Sequence, residues 1–192
     1  MKVYFHMNVE TFSNTYLVVN EDTKTAIIID PCKITKQIID QIENGGYKMQ
    51  AALITHNHKG HINGLSTLMK IYDITVYAAE SEIQGIKTNT INGDGSINIG
   101  DLNISYFHVP GHTPDSIVYK IENVLFTGDT IEAGRICSTN SNYSRMNLIK
   151  NIKNKIFSLD NDTIIMSGHG PLTTIASEKA FNIDLQDKST DD

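Results

Sequence analysis

Apolar and polar positions follow two different rhythms along this chain. Residues 3–5, 15–19 and 25–29 are short runs rich in β-branched and aromatic side chains, which suit a pleated, half-buried surface, and they predict three strands. The third run is apolar throughout and ends at Asp30-Pro31. Ile34, Ile38, Ile39 and Ile42 then recur at helical spacing, and Gly45-Gly46 stops that helix. Residues 51–55 predict a short buried strand that runs straight into a histidine-rich segment, and Ile62, Leu65, Leu68 and Met69 predict a helix just beyond it.

The second half has a similar layout without any residue-level repeat. Strands are expected at 75–77 and 102–109, a short helix near 81–85, and a polar, Gly-rich loop with one short strand over 88–101. Residues 116–121 and 124–127 predict a hairpin around Glu122-Asn123. Leu148, Ile149, Ile152, Ile156 and Phe157 mark a longer helix, and residues 163–166 a last buried strand. Strands that first meander and then alternate with helices give an α/β fold in which helices cover the sheets.

At 192 residues the chain has the length of one domain, expected over residues 1–186, with the acidic end 187–192 as a flexible tail. Hydrophobic content of 40% and charged content of 20% are those of a folded globular protein rather than a disordered one. A net charge of −6 disfavours nucleic acid and anionic membrane surfaces as partners. Two cysteines, Cys32 and Cys137, cannot form a disulfide framework and suit a reducing compartment. With no signal-peptide core and no run of about 20 apolar residues, the expectation is a soluble cytoplasmic protein.

The chemistry concentrates in His56-Asn57-His58-Lys59-Gly60-His61, directly after a predicted strand. Extended residues two apart share a face, so His56 and His58 can converge on one ion, while His61 is offset enough to serve a second. With 7 histidines in 192 residues, chance gives that spacing on the order of once in a hundred chains. Three further segments each place one ligand-type residue beside glycine at a strand end: Gly111-His112, Gly128-Asp129 and Gly168-His169-Gly170. Singly each reads as a turn with an incidental polar residue; with the first cluster they point to a metal site.

In this combination and order, the motifs resemble the metallo-β-lactamase superfamily, and most closely its small glyoxalase-II-like (hydroxyacylglutathione hydrolase-like) branch. The resemblance runs from about Thr15 to Ile175. It implies an αββα four-layer sandwich of two mixed sheets flanked by helices, with metals at the sheet edges. It also implies that His56, His58 and His112 hold a first ion, that Asp129 bridges, and that His61 and His169 hold a second. The implied chemistry is hydrolysis of a small-molecule ester or thioester by a metal-bound hydroxide, with no side chain beyond the ligands acting as catalyst.

Gly60 stands where the family pattern has a metal-ligating aspartate, so the expectation is one firmly held Zn²⁺ and a second site that is weak or empty. Fe²⁺ is an alternative occupant. Glu132, Cys137 and Ser138 also depart from the pattern, which has a cation at position 138 to bind glutathione. Arg135 and Ser138 are the candidate substrate-binding residues. Asp115 is weighed as a replacement ligand against a plain turn residue, and Cys137 as a reactive thiol against a buried filler; the plainer reading is preferred for both. Two alternatives to the hydrolase are an iron-dependent persulfide dioxygenase of the same superfamily and a non-catalytic ligand-binding relative. A monomer or a homodimer is expected.

Overall fold

The computed structural model describes residues 1–186; the acidic end expected to be flexible, 187–192, lies outside the described residues. The first half runs β1 (Lys2–Asn8), β2 (Ser13–Val19), β3 (Thr25–Ile29), α1 (Lys36–Gly45), β4 (Lys48–Leu53), α2 (Lys59–Ile62), α3 (Leu65–Ile71) and β5 (Thr75–Ala78). Short strands β6 (Glu82–Ile83), β7 (Ile86–Lys87) and β8 (Asn89–Thr90) lead to β9 (Gly95–Ile99), β10 (Leu102–His108), β11 (Ile117–Ile121) and β12 (Val124–Gly128). A small hairpin of β13 (Ile131–Glu132) and β14 (Arg135–Ile136) precedes α4 (Asn142–Asn151), which widens into a π-helical turn over Ile152–Ile156. The chain closes with β15 (Ile164–Ser167), β16 (Thr173–Thr174) and α5 (Ile175–Phe181).

Two six-stranded mixed sheets form, in the orders β1-β2-β3-β4-β5-β8 and β16-β15-β12-β11-β10-β9. Strand alternation explains the layers. Leu17, Val19, Ala26 and Ile28 face α1, α2 and α3, where Ile38, Ile42, Leu65 and Leu68 complete one core. Tyr16, Val18, Ile27 and Ile29 point the other way, against Ile104, Tyr119 and Phe126 of the second sheet. On that sheet's far side Val118, Leu125 and Ile165 pack under Leu148, Ile152 and Ile156. Strand β3 is buried at every position, and apolar from Ala26 on, because both its faces are covered. The result is the expected four layers, helix, sheet, sheet, helix.

Two local expectations differ from the structure, and one helix was not expected. Residues 81–85 form no helix: Gln84 and Gly85 both adopt positive φ, 52° and 78°, and turn a two-residue hairpin that pairs Ile83 with Ile86. The helix expected after the histidine segment is two short ones, broken where the Gly64 amide donates to the Pro31 carbonyl, 2.8 Å. Helix α5 carries no apolar stripe in the sequence because its buried Glu178 takes a core-side position, accepting from Gly134 N, Thr173 Oγ1 and Asn182 Nδ2.

Candidate metal centre

All six candidate ligands sit at one edge of the sandwich, where strands of both sheets end. His56 and His58 follow β4, His61 lies in α2, His112 follows β10, Asp129 follows β12, and His169 follows β15. Backbone bonds stitch the two sheets together there: Asn14 N donates to Gly168 O at 2.8 Å, and Asn14 Nδ2 reaches Ser167 O and Gly170 O, each at 2.9 Å. Gly168 is required by close approach, since a Cβ on it would lie 2.5 Å from both Asp129 Oδ1 and His61 Cε1.

The side chains form two groups sharing one carboxylate. Ligand atoms of His56, His58, His112 and Asp129 lie within 4.8 Å of one another, as do those of His61, Asp129 and His169. His58 Nδ1 is 3.0 Å from His56 Nε2 and 3.1 Å from His112 Nε2. Asp129 Oδ2 lies 3.5 Å from His112 Nε2 and 3.7 Å from both His56 Nε2 and His169 Nε2. Its Oδ1 lies 3.3 Å from His61 Nε2, yet accepts no hydrogen bond among the described residues. His56, His61 and Asp129 are buried, His112 and His169 half-buried, and His58 faces solvent, so the centre opens on the His58 side.

A second layer of contacts fixes which ring nitrogen carries the proton. Asp30 Oδ2 accepts from the Thr55 hydroxyl at 2.7 Å, so the hydroxyl oxygen is left to accept from His56 Nδ1 at 3.1 Å. His61 Nδ1 donates to Asp30 Oδ2 at 3.0 Å, His112 Nδ1 to Ser138 O at 2.8 Å, and His169 Nδ1 to Phe12 O at 2.9 Å. In the neutral rings all four inward Nε2 atoms are then lone pairs, and they face one another and a carboxylate. Such an arrangement is repulsive unless a cation sits within it, and it is the arrangement seen where histidines ligate metals through an oriented second layer. The donor set of imidazoles and one carboxylate suits Zn²⁺ or Fe²⁺.

The electrostatics agree. Burial pushes His56 down to about 2, with the neighbouring His61 adding to the effect, so its ring is neutral and ready to ligate. His58 is lowered by burial and by His112. Burial opposes charge on His61, but Asp129 and Asp30 overcome it and raise that ring to about 10, so a cation bound at its Nε2 takes the place of a proton there. Burial likewise works against the Asp129 carboxylate, and His61, His56 and His169 outweigh it and hold the acid well below the usual range. The centre is built around positive charge.

The remaining candidates belong to neither of these two ligand groups. Arg135 is spent on Glu132, with Nε and Nη2 each 2.7 Å from Oε2. Ser138 contributes its carbonyl to His112. Asp115 Oδ2 accepts from Asn57 N at 2.8 Å and so braces the histidine segment. Cys137 is buried and donates to Glu132 Oε1 at 3.0 Å; that pair lies beside Asp129 with its polar atoms already matched. Cys32 is buried and free as well. His6 contacts Gln41 Oε1 and His108 contacts Pro114 O, both away from the centre. Sequence reasoning missed Asp30 and Thr55, whose signal was a carboxylate and a hydroxyl at the ends of two adjacent buried strands. Among the described residues no helix is long and apolar enough to cross a membrane.

Comparison with known proteins agrees with this geometry. The family model of the metallo-beta-lactamase superfamily matches residues 8–169. The hydroxyacylglutathione hydrolase GloC of Haemophilus influenzae is 28% identical over 95% of this chain and 100% of its own length. YqgX of Bacillus subtilis, named a probable metallo-hydrolase, is 28% identical over 88% of this chain and 90% of its own. Among solved structures, the BLEG-1 B3 metallo-beta-lactamase superposes with a TM-score of 0.85 at 30% identity, covering 97% of this chain and 100% of that one. The chain belongs to the metallo-β-lactamase superfamily.

Proposed function

We propose that this protein is a metal-dependent hydrolase of a small ester or thioester. The observation that carries the reading is the convergence of four lone-pair nitrogens on the orphaned, buried Asp129 carboxylate. His56, His58 and His112 would hold one Zn²⁺ firmly, with Asp129 between that position and a second one beside His61 and His169. A bound ion supplies Lewis acidity, polarising a carbonyl and bringing the pKa of a coordinated water from 15.7 to about 7.

The chain's own residues do the rest. Thr55 and Asp30 hold His56 and His61 in the tautomer that ligates, and the Phe12 and Ser138 carbonyls do the same for His169 and His112. Asp129 stays ionised and orients whatever proton donor enters beside it. The exposed flank of His58 leaves a path for substrate.

The second position has only His61, His169 and the shared Asp129, because Gly60 offers no side chain where the family resemblance implies an aspartate. One fewer negative charge makes that position weak or empty. Relatives named as hydroxyacylglutathione hydrolases support a thioester substrate, while the engagement of Arg135 by Glu132 argues for a thiol other than glutathione.

The test is a panel of acyl thioesters and esters offered to zinc-loaded and iron-loaded protein. Turnover is expected, and His58→Ala and His112→Ala should abolish it. No turnover with either metal contradicts the reading.

A further inference from the structure

Strand β1 is an unprotected sheet edge. Among the described residues it pairs with β2 alone, over seven consecutive residues from Lys2 opposite Val19 to Asn8 opposite Ser13. That pairing keeps one register with no bulge, and the strand holds no proline and a single fixed charge, Lys2 at its end. An edge of this kind is a template for another strand, and folded proteins ordinarily blunt it with bulges, prolines or charges.

The groups that face outward follow from the sheet's hydrogen bonding. Asn20 N donates to Thr25 O at 2.8 Å, so Asn20 bonds toward β3. Successive residues of an antiparallel strand alternate between its two neighbours. Val19, Leu17, Thr15 and Ser13 therefore bond toward β1, where they face Lys2, Tyr4, His6 and Asn8. Val3, Phe5 and Met7 are left with both N–H and C=O turned outward. Their side chains share the face toward the second sheet, where Val3 packs on the core and Phe5 lines a cavity of about 250 Å³ with Tyr16, Met166, Pro171 and Leu172. Phe5 is 55% exposed, Met7 51% and Leu172 66%.

We propose that β1 is the interface with a second copy of this chain, the two strands pairing antiparallel across a two-fold axis at Phe5. This register sets Phe5 against Phe5, Val3 against Met7, Tyr4 against His6 and Lys2 against Asn8. Every outward N–H and C=O of Val3, Phe5 and Met7 then finds a partner, whereas an axis at Tyr4 or His6 leaves Met7 or Val3 unmatched within the strand. Apolar side chains meet apolar ones on the inner face, and no like charges oppose each other. The strip is about 24 Å long. With the exposed parts of Phe5, Met7 and Leu172 it offers on the order of 600 Å² per copy, which meets the total of about 1,200 Å² at which specific interfaces begin.

Sedimentation velocity of the zinc-loaded protein, from micromolar to hundreds of micromolar, should show a reversible monomer–dimer equilibrium. Phe5→Asp should raise the dimer Kd at least about tenfold. Met7→Pro removes one outward N–H from each copy, a change that an edge strand tolerates, and should weaken the dimer as much while circular dichroism stays unchanged. Phe181→Ser, at another exposed apolar position, should leave the dimer as it is. Dibromobimane, which joins only neighbouring thiols, should link Phe5→Cys across the axis, since Cys32 and Cys137 are buried. A monomer throughout the range overturns the proposal, as does a dimer whose Kd Met7→Pro leaves unchanged or whose Phe5→Cys form the reagent fails to link. Assembly beyond the dimer overturns it too, because a two-fold edge pairing closes on itself.

Discussion

Asp30 Oδ2 lies 3.0 Å from His61 Nδ1, and the same carboxylate takes both the amide and the hydroxyl of Thr55, at 2.8 and 2.7 Å. One buried acid thus sets the protonation pattern of His61 directly and of His56 through Thr55. Asp30 adopts a positive φ of 49° to do so, a conformation that few residues other than glycine, asparagine and aspartate tolerate.

Asp30→Asn keeps the shape of this hub but presents an amide where two donors now point. Metal affinity should drop about 10- to 100-fold, the usual effect of losing a second-layer partner. Competition with a chromophoric chelator measures it, and unchanged affinity would show that Asp30 serves folding alone.

Gly168→Ala should be far more damaging than a surface glycine replacement. Its methyl would press on Asp129 Oδ1 and His61 Cε1, and the Gly128 carbonyl carbon at 3.0 Å blocks retreat. A loss of about 1–3 kcal/mol in chemical denaturation, with reduced metal uptake, is expected from overpacking at such a site.

Neither thiol should react readily in the native protein. Burial and the nearby Asp30 push Cys32 up to about 11, and burial with Asp129 and Glu132 raises Cys137 as well. The thiolate is the reactive form, so at pH 8 little is present, and reactivity should climb only as pH approaches these raised values. Ellman's reagent should label both cysteines rapidly in denaturant and slowly without it; fast native labelling of either one would contradict this.

Gly60→Asp should fold normally, because a Cβ there meets only Ser13, at 3.7 Å from Oγ, and Gly60 is not among the positive-φ glycines. The added carboxylate should raise occupancy of the position beside His61 and His169. Metal titration of wild type and variant side by side gives the answer, and equal stoichiometry in both would count against a role for this position.

The sheets and the ligands were legible in the sequence for the same reason. His56 and Asp129 follow strongly apolar strands, and a glycine adjoins His112, Asp129 and His169 at a turn, so Ile54 to His56 and Phe126 to Asp129 announce both element and site. Asp30 and Thr55 were not legible as a pair, because their meeting depends on the parallel alignment of β3 with β4, in which Asp30 N donates to Leu53 O at 3.0 Å. The Phe12 and Ser138 contributions come from backbone carbonyls and leave no mark on residue identity. Residues 81–85 misled because three apolar or small positions, Ser81, Ile83 and Gly85, fit a helical turn as well as a hairpin. Helix α5 was missed because a carboxylate, Glu178, occupies a buried position where an apolar residue would have shown the period.

The most direct test of the metal account is elemental analysis of the protein after loading with zinc or iron and exhaustive dialysis. One ion per chain is expected in the wild type, and none in His58→Ala or His112→Ala. Two tightly retained ions, or none with either metal, would contradict it.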